Sequence, residues 1–100
     1  MHRLVVLYRP PEDADHFRSY YVNTHLPLAA KLPGLKKMRH SFDVAALGRP
    51  SPYFAIWEGE FDSAEAMVAA LSSQEGQAVA ADVANYASGG VEMIHFRIEE

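Results

Sequence analysis

The sequence predicts one α+β domain over residues 1–100, an antiparallel four-stranded sheet with two helices on one face, and three observations carry this. Apolar runs and chain breakers alternate in the order strand, helix, strand, strand, helix, strand, with no repeat, linker or low-complexity tract between them. That order is the ferredoxin-like βαββαβ pattern. The strand segments are apolar at both alternating positions, so both faces of the sheet demand cover. The core is also thin: apolar residues are 49% of the chain, but 15 are Ala and only 34 are larger. A chain of this size buries roughly two-thirds of its unfolded surface, which makes a partner surface part of the expected fold.

Leu4–Tyr8 is an apolar run stopped by Arg9-Pro10-Pro11 and reads as the first strand. The prolines and then Glu12, Asp13 and Asp15 suit a helix start, because carboxylates favour the positive end of the helix dipole. Phe17, Tyr20, Tyr21, Thr24 and Leu28 recur at three- and four-residue spacing and form the apolar stripe of the first helix. Pro27 cannot donate to the Asn23 carbonyl and disfavours helical geometry at Leu26, so a kink or restart is expected over residues 23–26. Leu32-Pro33-Gly34 closes the element.

Residues 35–44 and 53–61 read as strands, and the loop Ala45–Pro52 joins them as a hairpin. Asp62-Ser63-Ala64-Glu65 starts the second helix, and Ser72 with Glu75 repeats the capping-box spacing, which divides this helix in two. Nine Ala residues between Ala64 and Ala87 permit close backbone approach. Ser88-Gly89-Gly90 ends the helix, and Val91–Ile98 alternates as the last strand. Two helices cover one sheet face only. The other would be an adhesive patch on a monomer, and packing two sheets face to face as a dimeric α+β barrel, a homodimer, resolves it.

Nine Lys and Arg against thirteen Asp and Glu give a net charge of −4, the wrong sign for a phosphate backbone, so no nucleic acid partner is expected. The absence of Cys removes thiolate zinc, iron–sulfur clusters, disulfides and Cys nucleophiles. No apolar stretch approaches ~20 residues and the N-terminal run does not resemble a signal peptide, so the expectation is a cytoplasmic protein with no membrane partner. Neither a dinucleotide-binding Gly motif nor a P-loop is present, and no cofactor is expected.

Three segments carry a family resemblance: Phe17-x-x-Tyr20-x-x-x-x-His25-x-Pro27-Leu28; Lys31-Leu32-Pro33-Gly34-Leu35; and Phe61-Asp62-Ser63-x-Glu65-Ala66 continuing to Ser73-Gln74-Glu75-Gly76-Gln77-x-x-x-x-Asp82. From Leu4 to Phe96 the chain resembles the EthD family, named for ethyl tert-butyl ether degradation. The resemblance implies a dimeric α+β barrel. The wider superfamily of such barrels includes polyketide cyclases, muconolactone isomerase, antibiotic-biosynthesis monooxygenases and haem-degrading enzymes, so what it implies is a cavity and not one reaction. Haem-degrading relatives commonly ligate iron through a His on the second helix, and residues 63–88 contain no His.

His25 is the candidate catalytic residue. Beside the Pro27 break its imidazole can project from a disrupted helix end as general base or acid, or it can lock the kink by donating to the Asn23 carbonyl. Tyr8 and Tyr20 are candidates to steady an oxyanion, or are core aromatics with rim hydroxyls. Trp57 is likewise a candidate substrate contact or a core aromatic. Glu58 sits mid-strand among apolar neighbours: on an apolar face it would need a raised pKa or a paired cation, and otherwise it is a solvent-facing or interface-paired carboxylate next to Glu60, the reading the sequence favours. His95, and His40 with it, fall in alternating strands where they could join His25 in a cavity, although their spacing supports no metal site.

Two functions are compatible with these residues. One is a cofactor-independent lyase, isomerase, cyclase or monooxygenase-type enzyme acting on a small hydrophobic or aromatic molecule, with His25 moving a proton. The other is a non-catalytic barrel that binds such a molecule or serves a partner oxygenase.

Overall fold

In the computed structural model, which describes Met1–Glu100, β1 runs over His2–Tyr8, and its branched and aromatic residues suit a central strand. It pairs antiparallel with β3 (Ala55–Phe61) and with β4 (Val91–Arg97), while β2 (Lys37–Phe42) pairs antiparallel with β3 as the expected hairpin. The strand order β2-β3-β1-β4, with helices in the two crossovers, is the ferredoxin-like arrangement. Along its shortest axis the backbone spans 17 Å, enough for one sheet and one helical layer.

The register separates the two faces. Val6 lies opposite Trp57 and Met93, and Trp57 opposite His40, so these four side chains form one row across the helix-covered face. Leu4, Tyr8, Ala55 and Phe61 share that face and are buried with Phe17, Tyr21, Met67 and Tyr86 in one core cluster. The outer face is divided. Over β1 and β4 it is mainly apolar, with Val5, Leu7, Ile94 and Phe96 between Arg3 and Glu92, and over β2 and β3 it carries Lys37, Arg39, Glu58 and Glu60 beside Ile56. Val5 is buried and Leu7 half-buried, but Ile94 is 52% exposed and Phe96 43% exposed, so the β4 side of this apolar half is uncovered in the single chain.

The first helical region has three parts: α1 (Ala14–Tyr20), a π-turn over Tyr21–His25, and α2 (Leu26–Ala29). Asp13 caps α1 by accepting the His16 N–H at 3.0 Å. At the π-turn the Leu26 N–H donates to the Tyr21 carbonyl, five residues back. Pro27 has no N–H with which to close a regular turn onto Asn23, and the widened turn accommodates it. The extra residue also rotates the chain beyond it. Phe17, Tyr21, His25, Leu26 and Ala29 are buried, whereas Thr24, placed in the apolar stripe by regular spacing, is exposed and Leu28 only half-buried.

The second region also breaks, into α3 (Ala64–Ser72) and α4 (Gln74–Asp82), followed by a 3-10 turn over Val83–Asn85. Ser63 caps α3 by accepting the Ala66 N–H at 3.0 Å. The cap of α4 is Ser73, not Ser72: its hydroxyl oxygen accepts the Gly76 N–H at 3.0 Å and its own proton goes to the Ala70 carbonyl. One residue thus ends one helix and begins the next.

Candidate functional site

Between the sheet and α2, α3 and α4 lies a cavity of about 160 Å³. Its floor is Leu4, Val6, Tyr8 and Trp57, its far wall Ala29 and Leu32, and its mouth lies where Val79, Ala80 and Val83 face Val91 and Met93 of edge strand β4. Met93 is 61% exposed, which marks this rim as the open side. Of the 14 lining residues 12 are apolar, and His25 is the one with a titratable imidazole. Small residues make the space. Gly76 brings α4 against the end of α3, where a Cβ would overlap the carbonyl oxygens of Ala70 and Leu71. Gly59 leaves room for the Trp57 benzo ring, which lies directly over it.

His25 enters this wall from the π-turn, and only 4% of its side chain is exposed. Its ring stacks on Tyr21 at 5.3 Å between centroids and touches Tyr86 at 4.7 Å. Nδ1 is 2.9 Å from Asp82 Oδ2, and Nε2 makes no hydrogen bond within the chain. An ionised carboxylate only accepts, so the proton shared with it belongs to Nδ1, and Nε2 of the neutral ring presents a lone pair. Burial lowers the His25 pKa by more than the Asp82 hydrogen bond and charge raise it, which keeps the ring neutral at neutral pH.

Asp82 is held from three sides. Besides His25 it accepts the Tyr20 hydroxyl at 2.6 Å and Asn85 Nδ2 at 3.0 Å, both on Oδ1. Burial pushes its pKa up, but the bonds from Tyr20, His25 and Asn85 outweigh burial and leave it lowered. Within the core cluster the Tyr8 and Tyr86 hydroxyls bond each other at 2.8 Å. Burial raises the pKa of both phenols and of Tyr21, whose hydroxyl has no partner.

The sequence candidates therefore separate. His25, Tyr8 and Trp57 meet in the cavity wall. Tyr20 does not line it: its hydroxyl is spent on Asp82, behind His25. Glu58 lies part-exposed on the outer face beside Glu60, 3.6 Å from Arg3 and opposite Arg39, so it is the solvent-facing carboxylate and not a cavity residue. His95 is on the helix side of edge strand β4, opposite Leu4 and two residues beyond Met93, but it does not line the cavity: its Nδ1 is 2.8 Å from His2 Nε2. His40 packs on Phe42 and Tyr21 from β2. His25 does not donate to Asn23. Sequence reasoning gave Asp82, Asn85 and Tyr86 no role. One signal was available for Asp82: a carboxylate in the last turn of a helix has the wrong sign for the dipole, and such a placement calls for compensating donors.

An EthD domain model matches residues 9–90. The chain is 36% identical, over 94% of its own length and 91% of the other, to an uncharacterized 11.0 kDa protein from the thcB-thcC intergenic region of Rhodococcus erythropolis. It is similar to the crystal structure of an ethyl tert-butyl ether degradation (EthD) family protein from Bacillus halodurans, with a TM-score of 0.90 and 30% identity over 99% of both chains. A likeness of fold alone extends to SnoaB, a cofactor-independent oxygenase from Streptomyces nogalater, with a TM-score of 0.68 and 14% identity over 99% of this chain and 93% of that one.

Proposed function

The chain belongs to the EthD domain family, and from that premise we propose that its inner cavity binds a small hydrophobic or aromatic metabolite on which His25 moves a proton. The observation that carries the reading is the His25–Asp82 pair: Nδ1 is committed to a carboxylate, and the Nε2 lone pair is left on a cavity wall that is otherwise apolar. A base so placed accepts a proton from a bound molecule, leaves the electron pair on it, and as imidazolium is stabilised by Asp82. Returning the proton to a different atom isomerises the molecule; where the electron pair first attacks a carbonyl carbon of the same molecule, the new C–C bond closes a ring and the proton goes to the carbonyl oxygen. Leaving it on His25 generates a carbanion, which in a cofactor-independent oxygenase would give one electron to dioxygen and then join the superoxide formed through a new C–O bond; one protein of the same fold is such an oxygenase.

In this reading Tyr8 and Trp57 are substrate-contacting walls. With Tyr8 accepting from Tyr86, the proton of the cavity-lining Tyr8 hydroxyl is the one offered to a developing oxyanion. The cavity volume also supports chemistry without a resident cofactor. About 160 Å³ is below the roughly 300–1,000 Å³ of most ligand pockets and suits a compact substrate better than a tetrapyrrole or flavin.

The barrel is completed by a second copy. Ile94 and Phe96, with half-buried Leu7 beside them, form the uncovered apolar part of the outer face, and a homodimer buries it. Native mass spectrometry of the purified protein, followed by incubation of any copurified molecule under oxygen across pH 5–8, tests the enzyme reading. Conversion supports it, and binding without conversion leaves a carrier in its place.

A further inference from the structure

The chemistry of the cavity wall restricts what can sit there. Asp82 fixes the His25 proton on Nδ1, so Nε2 only accepts, and a ligand must bring a donor to it. At Nε2 itself a ketone, ether or ester would set lone pair against lone pair. No Lys, Arg, Asp or Glu lines the cavity, and the Asp82 carboxylate lies behind the imidazole, already filled by His25, Tyr20 and Asn85. A carboxylate or ammonium group would therefore be buried without a partner, which strongly disfavours it. The volume sets the size: a cavity of about 150 Å³ lined by apolar side chains holds benzene, and this one is about 160 Å³. Tyr8 and Trp57 in the wall favour an aromatic ring over an aliphatic chain of equal size.

We infer that the ligand is a neutral single-ring phenol, its hydroxyl donating to His25 Nε2 and its ring held among Leu4, Val6, Trp57 and Val83. This rests on the cavity being the binding site, as proposed above. It also gives the first step a definite form. The phenolic O–H proton passes to Nε2, the electron pair remains on oxygen, and the phenolate formed is electron-rich at ring carbon.

The test is isothermal titration of the full chain at pH 7 with phenol, anisole, toluene and benzoate. Phenol is expected to bind about tenfold more tightly than anisole or toluene, the effect of one neutral buried hydrogen bond, and benzoate not measurably. In His25→Ala, checked for folding by its thermal transition, the phenol advantage over toluene disappears while toluene still binds. Should that variant fail to fold, the wild-type series decides alone. Anisole or toluene binding as tightly as phenol, or benzoate binding best, overturns the phenol assignment and leaves the cavity reading standing. Failure of all four to bind overturns both.

Discussion

His25 Nδ1 and Asp82 Oδ2, 57 positions apart in the chain, are joined at 2.9 Å between a π-turn and the last residue of α4. The π-turn rotates the imidazole inward, and the carboxylate at the helix end, unfavourable against the dipole, is offset by three donors. Each half of this arrangement accounts for the other.

The pair makes Asp82→Asn informative. The amide can donate to Nδ1 where the carboxylate could only accept, which moves the ring proton to Nε2 and removes the cavity-facing lone pair. Nitrogen-15 shifts are expected to report Nδ1–H in the native protein and Nε2–H in the variant, with any His25-dependent turnover lower by about 10²–10⁴-fold. An unchanged tautomer with unchanged turnover would contradict the assignment.

Stability is expected to fall on the acid side in two steps. His25 has a folded pKa below its ordinary 6.5, so the unfolded chain binds the proton more readily, and the contribution present above 6.5 is lost as pH falls toward the folded value. Asp82 is lowered from 3.8, and its contribution is lost only below that. The thermal midpoint measured from pH 8 to 3 should decline in both windows, and His25→Asn should flatten the first alone.

Gly76→Ala sets two effects against each other. Ala gains about 1 kcal/mol of helix propensity, but its Cβ would overlap the Ala70 and Leu71 carbonyl oxygens, which are backbone and cannot swing aside. Overpacking of this kind costs about 1–3 kcal/mol, so a net loss is expected, read as a midpoint lower by several degrees. A higher midpoint would mean that α3 and α4 separate freely.

Ile94→Lys places a charge in the uncovered part of the outer face. Sedimentation should find the native chain a dimer at micromolar concentration and the variant a monomer. A monomeric native chain would leave the outer face without the proposed partner.

The element order was legible because breakers stand where elements end: Pro10-Pro11, Pro33-Gly34 and Gly89-Gly90 bracket the pieces the structure contains. Pro27 announced a disruption but not its form. Helical periodicity assumes 3.6 residues per turn, and the single extra residue at Tyr21–His25 exchanged Thr24 for His25 in the core. Choosing the cavity-facing parity was beyond the sequence, because Val5 and Leu7 are as apolar as Leu4 and Val6, and only the register distinguishes them. Glu58 for the same reason could be read toward either face. Asp82 meets His25 through tertiary packing of two helices, which no local pattern encodes.

The central claim is that His25 serves the cavity through Nε2 and is not there merely to tie α4 to the π-turn. His25→Asn separates the two, because the Asn amide can reproduce the Nδ1 bond to Asp82 while nothing replaces Nε2. The measurement is the thermal midpoint of this variant together with its turnover or binding of the molecule that copurifies with the native protein. The account predicts a midpoint within a few degrees of native and function lost; native function in a variant that has lost its stability would contradict it.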